Sequence, residues 1–282
     1  MSHIGKSSSM SILSAGAVTS LGRDLTKIAQ KLSGPPEASS LTISVNDDLL
    51  SNAALDKRLR RADRFVRMAV MAAKDAWSTA EPACRDIPRE KIGLIVTSGF
   101  GPHCRGFRFI DGILDCGDGD ALPTDFSHSV HGVAAAYITE LLELRGPSLS
   151  TTDFHSGFEQ AILLAQCWLE QGSCDRVLVG AVEELGEVLV HCAARMLDNE
   201  KRRTPGEGAV FFMLAPNDLQ GIARLGYRTE ATDLDLMILD LPASVSKQPI
   251  RPRAAMFSPY FGHSPSGSAF GLLGELLSCG AG

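Results

Sequence analysis

The sequence predicts an α/β fold, and three observations carry that prediction. Segments with apolar residues at helical spacing alternate with short, fully apolar runs through the first 215 residues. The short runs are rich in valine, isoleucine and leucine, the pattern of strands covered on both faces, so a parallel sheet is implied. The chain has 282 residues, 44% hydrophobic and 21% charged, enough to bury one large core or two closely packed halves.

From Arg61 to Thr79 the residues Phe65, Met68, Ala69, Ala72, Ala73, Ala76 and Trp77 recur at helical spacing and predict a helix buried on one side. IGLIVTSG at Ile92 to Gly99 reads as a buried strand closed by glycine. The glycine-containing stretch from Phe100 to Pro123 reads as irregular. HGVAAAYITELLEL then predicts a helix stopped by Gly146 and Pro147, followed by a strand at Ser148 to Thr152. Between Gly157 and Gln171, Phe158, Ala161, Ile162, Ala165, Trp168 and Leu169 mark a third helix, with Gly172 placed for a left-handed cap. RVLVGAVEE and GAVFFML supply two more apolar strands. Past Ala215 come strands at Ile222 to Arg228, Leu236 to Leu241 and around Ala254 to Phe257, then a closing helix from Ser266 to Ser278. Residues 1–9 are polar and read as a disordered leader or expression remnant, leaving one domain at 10–282, with an N-terminal half at 10–215 and a short C-terminal half at 216–282.

Composition excludes several function classes. Lys and Arg number 27 against 33 Asp and Glu, a net charge of -6, and no basic stretch is interleaved with aromatics, so nucleic acid is not an expected partner. The densest basic run, with Arg58, Arg60, Arg61, Arg64 and Arg67, leads straight into a helix and reads as a solvated helix start or a subunit contact. No apolar run reaches the ~20 residues of a membrane span, and a cytoplasmic location is expected. Seven cysteines without a CxxC pair fit reduced, mostly buried thiols. His128 and His131 lack a third ligand at sensible spacing, so capping or packing is expected of them, and neither a metal nor a cofactor is implied.

Five landmarks then occur in a telling order: GAVTSLG at Gly16 to Gly22, RRADRFVRMAVMAAKDAW at Arg60 to Trp77, the run GPSLSTTDFHSGFEQ through GAVEE at Gly146 to Glu184, GEGA at Gly206 to Ala209, and FGHSPSGSAFGLLGELL at Phe261 to Leu277. Together they resemble a β-ketoacyl-acyl-carrier-protein synthase along nearly the whole chain. The resemblance implies a thiolase-like layered αβαβα fold, here with a shortened second half, and a dimer that pairs near the nucleophile. It also implies a cysteine on a sharp strand-to-helix turn, where the helix N-terminus lowers its pKa and backbone amides hold the oxyanion. That position, three residues before the helix-opening Gly157, is Phe154, which cannot form a thioester; the nearest downstream cysteine is Cys167. Of the two family histidines, His263 in FGHSPSG matches one, and the segment between Ala215 and Phe261 holds none for the other.

Residues expected around the acyl pocket are Phe154, His155, Ser156, His131 and Phe261, with His131 standing where the family tends to carry asparagine. Phe154 is expected either to fill space left by substrate, adding to the core, or to shorten the pocket. Asp153, His155 and Ser156 have hydrolytic residue types, although neighbours on one turn point in different directions. His263 reads as a surviving functional histidine or a satisfied turn histidine. The resemblance therefore implies a non-condensing, chain-length-factor-like subunit that pairs with an intact ketosynthase, or with itself, and meets acyl carrier protein through the complex. The pathway class it implies is fatty acid, polyketide or aryl-polyene biosynthesis. The alternatives are an acyl-ligand-binding or scaffold protein, and an atypical decarboxylase or hydrolase using His263 or Ser156.

Overall fold

A computed structural model describes residues 9–36, 41–117, 119, 121–196, 204–217, 219, 221–230, 233–240 and 253–280. The first 215 residues hold β1 (Ser9–Val18), α1 (Leu25–Leu32), α2 (Arg64–Cys84), β2 (Ile92–Ser98), α3 (His103–Cys116), α4 (Pro123–Ser129), α5 (Val133–Leu142), β3 (Ser148–Thr152), α6 (Gly157–Glu170), β4 (Arg176–Glu183) and α7 (Glu187–Met196). They are followed by β5 (Gly208–Pro216), β6 (Ala223–Glu230), β7 (Asp233–Asp240), α8 (Ala254–Phe261) and α9 (Gly267–Ser278). One sheet runs in the order β3-β2-β4-β5-β1-β6-β7.

The sheet is mixed, where the sequence implied a parallel one. β3, β2 and β4 are parallel, but β5 runs antiparallel to both β4 and β1, and β6 and β7 continue antiparallel. Burial explains the misreading: β4 and β5 are covered on both faces, so this antiparallel pair lacks the apolar-polar alternation of a half-exposed sheet. β4 pairs Glu183 with Gly208 of β5, so the segment between them begins and ends at one end of the sheet. That is also the end where β2 and β3 finish, and it gathers the site.

Strand periodicity divides the core in two. Along β4, Leu178 and Val182 pack with α2 and α5, while Val177, Val179 and Ala181 pack with α6 and α9. β5 repeats this with Phe211 on the first face and Phe212 on the second, both wholly buried and each stabilising by ~1.5–3 kcal/mol. The alanine-rich face of α2 lets β1 come close. A side chain at Gly16 would strike the Ala72 carbonyl, and the Ser14 hydroxyl donates to the Ala76 carbonyl at 2.6 Å. Asp63 caps α2 by accepting from the Val66 N–H at 3.0 Å.

Two stretches differ from expectation. Phe100 to Pro123 contains α3, whose interior glycines Gly106 and Gly112 conceal a helix that buries none of its residues in this chain. Ala254 to Phe257 is the start of α8, not a strand; its Phe257 and Phe261 sit one turn apart and reach the core together. β1 starts at Ser9, residues 1–8 lie outside the described residues, and the strand expected at Leu236 to Leu241 overlaps β7, with Leu241 outside the described residues. Only Cys84 and Cys174 are buried; Cys104, Cys116, Cys167 and Cys192 are exposed, which corrects the expectation of mostly buried thiols. Within the basic run, Arg64 pairs with Glu207 and Asp47, and Arg67 with Asp56. Among the described residues, no helix is long and apolar enough to cross a membrane.

Candidate functional site

Three parallel strands end side by side, and a ligand in an open α/β sheet binds outside such ends. β2 ends at Ser98 and turns through Gly99, Phe100 and Gly101; β3 ends at Thr152 and turns through Asp153 to Ser156 into α6; β4 ends at Glu183 and continues through Glu184 and Leu185. Glu183 ties the turn after β2 to Ser266 at the start of α9. One carboxylate oxygen accepts from the Gly99 N–H at 2.6 Å and from the Ser266 hydroxyl at 2.5 Å, and the other from the Ser98 hydroxyl at 3.2 Å. The group is buried, and burial raises its pKa against the opposing pull of these bonds.

A second carboxylate anchors the GEGA loop. Glu207 accepts from the Val45 N–H at 2.9 Å and the Leu185 N–H at 3.0 Å, and pairs with the Arg64 guanidinium at 2.5 Å, which raises the Arg64 pKa. The neighbouring Gly206 packs against the Phe261-Gly262 backbone so closely that a side chain at either glycine would overlap the other loop. Gly262 has φ 81°, a left-handed conformation suited to glycine. Two backbone bonds complete the junction: His263 N–H to the Thr204 carbonyl at 2.8 Å, and Gly206 N–H to the His263 carbonyl at 3.0 Å.

These loops enclose a mostly apolar cavity of about 230 Å³ lined by Phe100, Glu184, Leu185, Leu189, Cys192 and His263 among others. Burial raises the Glu184 carboxyl to about 7. At the β3–α6 turn, Asp153 accepts from the His155 N–H at 2.7 Å and the Ser156 N–H at 2.8 Å, and these bonds hold its pKa below the ordinary value. Gly157 is needed there because a Cβ would lie 2.7 Å from the Thr97 hydroxyl. Phe154 points outward, 55% exposed, with its ring 5.0 Å from that of Phe100.

Residues 23–214 match the family model of the β-ketoacyl synthase N-terminal domain. The chain belongs to the β-ketoacyl synthase family. Its fold is thiolase-like, as that of its solved neighbours is. A β-ketoacyl synthase from Burkholderia phymatum superposes with a TM-score of 0.64 at 18% identity, over 82% of this chain and 66% of that one. A type II polyketide synthase acyl carrier protein in complex with its ketosynthase gives 0.64 at 20% identity, over 77% and 67%. A ketosynthase in complex with its chain length factor from Xenorhabdus doucetiae gives 0.56 at 17% identity, over 74% and 79%. The chain thus spans about two thirds of the length of the Burkholderia synthase. No curated protein sequence matches it.

Among the site residues expected of a synthase relative, His263 lines the cavity and Phe154 stands at its rim through Phe100. The expectation that Phe154 packs in this chain's core is overturned by its exposure. Phe261 is buried against Phe257 and Phe270 and serves the core. His131 Nδ1 lies 3.3 Å from the Thr152 hydroxyl, a packing role at the end of β3. The Ser156 hydroxyl accepts from the Gln160 amide at 3.0 Å while Asp153 serves backbone N–H groups, so Asp153, His155 and Ser156 build a turn rather than a proton relay. The sequence reading passed over Phe100, Glu183 and Glu184. Their signal was position: all three stand at the carboxyl ends of buried strands.

Proposed function

We propose that this chain is a non-condensing, chain-length-factor-like subunit that pairs with an intact ketosynthase and shapes the space beside its acyl chain. The observation that carries this reading is Phe154: a phenylalanine occupies the turn at the start of α6 where a condensing enzyme needs a thiolate. Its exposure supports a role toward a partner, because a solitary chain gains little by leaving a ring half in water. The surroundings agree. β3 is the edge strand of the sheet, and Leu149 on it is exposed together with Phe107, Ile110 and Leu114 of α3. An unpaired sheet edge of this kind invites pairing with another chain. Two solved neighbours support the choice of partners, one a ketosynthase with its chain length factor and one an acyl carrier protein with its ketosynthase.

The test is co-expression with an intact ketosynthase from the same organism, followed by size exclusion and crosslinking. The reading expects a one-to-one complex in which β3 and α3 are protected from labelling. A soluble monomer at micromolar concentration, with and without the synthase, would overturn it.

A further inference from the structure

Beside the cavity, α3 and the end of β4 bring together three side chains that the synthase reading does not use. His103 and Cys104 are the first two residues of α3, and Glu184 follows β4. One donor atom from each can be chosen so that all lie within 4.8 Å of one another. His103 Nε2 is 3.7 Å from Cys104 Sγ, and it is the other ring nitrogen, Nδ1, that lies 3.6 Å from Glu184 Oε1, so these two distances do not share one donor atom. The Cys104 N–H donates to Glu184 Oε1 at 2.9 Å, fixing the carboxylate against the start of the helix. Gly186 keeps the donors clear, because a Cβ there would lie 2.6 Å from Nε2 and 2.7 Å from Sγ.

The charge balance points the same way. The Glu184 side chain is 3% exposed, and the charged groups bearing on it, Asp63 and Glu207, are both acidic. The nearby guanidiniums are engaged with those two neighbours, Arg105 with Asp63 and Arg64 with Glu207. Among the described residues, the group within ion-pair distance of Glu184 is His103, itself 9% exposed at the side chain, and burial disfavours its charged form. In such surroundings the carboxylate is relieved either by a proton or by a bound cation.

We propose that His103, Cys104 and Glu184 form a binding site for a zinc-class divalent cation, with one coordination position left open beside the cavity that Glu184 lines. Nitrogen, sulfur and oxygen donors together suit Zn²⁺ and exclude the all-oxygen preference of Mg²⁺ and Ca²⁺. With bonds of ~2.0–2.1 Å to nitrogen and ~2.3 Å to sulfur, tetrahedral donors lie about 3.3–3.8 Å apart. The 3.7 Å between Nε2 and Sγ already meets that spacing. Binding exchanges the thiol proton for the metal: the S–H bond breaks, the proton leaves to solvent and the thiolate pair forms the bond to the cation. The bound ion would staple α3 to the end of β4.

The test uses the full chain, stripped with a chelator and titrated with Co²⁺ and then Zn²⁺. The site expects one ion per chain, a thiolate-to-cobalt charge-transfer band in the near ultraviolet, and displacement of that band by Zn²⁺. Cys104→Ser should abolish the band, and Cys104→Ser and Glu184→Gln should each weaken Zn²⁺ binding by at least about tenfold. Cys192→Ser, which removes the thiol at the cavity wall, should change neither. No thiolate band, a band that survives Cys104→Ser, or a band lost on Cys192→Ser overturns the proposal. Circular dichroism checks each variant; if Glu184→Gln fails to fold, the exposed Cys104 still decides the matter.

Discussion

Replacing Phe154 by alanine should separate the stability of this chain from its pairing. A fully buried phenylalanine stabilises by ~1.5–3 kcal/mol. At 55% exposure Phe154 keeps less than half of that, and its contact with the Phe100 ring adds ~0.5–1.5 kcal/mol. The isolated chain should therefore lose about 1–2 kcal/mol, a fall of about 2–6 °C in Tm for a domain of this size. Phe158, four residues on and 1% exposed, is the comparison: Phe158→Ala should cost ~3–5 kcal/mol and lower Tm by about 6–15 °C. Pairing should respond the other way round. If the Phe154 ring anchors the partner, truncation should cost ~2 kcal/mol of binding, about 30-fold in Kd. Thermal melts and titration calorimetry against the synthase measure both quantities. A Phe154→Ala chain that melts as low as Phe158→Ala would refute the exposed placement, and a Kd within about threefold of wild type would refute the interfacial role.

Four further outcomes are expected. Phe154→Cys should acquire a stoichiometric adduct from an acyl-thioester or cerulenin-type electrophile, seen by peptide mass spectrometry, while the wild-type turn from Asp153 to Ser156 stays unmodified. Gly206→Ala should destabilise by ~1–3 kcal/mol in a denaturant melt, because the new methyl meets the Phe261 carbonyl and neither loop can retreat without breaking their shared bonds. Glu207→Gln should cost ~2–3 kcal/mol by the same assay; the full penalty of a broken buried pair is discounted because the Arg64 side chain is 29% exposed. Asp153 is a depressed carboxylate, so its support for the turn is present above the ordinary value of 3.8 and lost as pH falls through the lower folded value. The amide resonances of His155 and Ser156 should titrate with a midpoint below 3.8, and a midpoint above it would count against the observed bonds.

Much of the fold was legible because the informative side chains are buried on regular periods. The helix expected at Arg61 to Thr79 is α2, extended through Pro82 into its last turn, and the one expected at Gly157 to Gln171 is α6. Strand direction was not legible, since β4 and β5 both present apolar residues to two helical layers and neither pattern records orientation. α3 was hidden for a different reason. Its apolar residues Phe107, Ile110 and Leu114 follow helical spacing, but glycines interrupt them and none meets this chain's core. At the site, the turn before α6 could be counted from Gly157. The convergence of Glu183 with Ser98, Gly99 and Ser266 could not, because it joins residues more than 80 positions apart.

That distance in sequence has a consequence for how the protein comes off the ribosome. Glu183 and Gly206 emerge well before Ser266 and Gly262, yet Glu183 completes its bonds, and Gly206 its close packing, against those later residues. The sheet face that carries Phe212 is covered in part by Phe158 of α6, and the rest waits for Phe257, Phe270 and Leu273. A nascent chain stopped at β7 would display one finished hydrophobic layer and one covered only by its earlier helices. Synthesis at ~5–20 residues per second would hold it in that state for seconds. Residues 254–278 thus act as a lid on folding itself: until they arrive, the cavity lacks the wall that His263, Ser264 and Pro265 supply, and the uncovered part of the face is a substrate for chaperones.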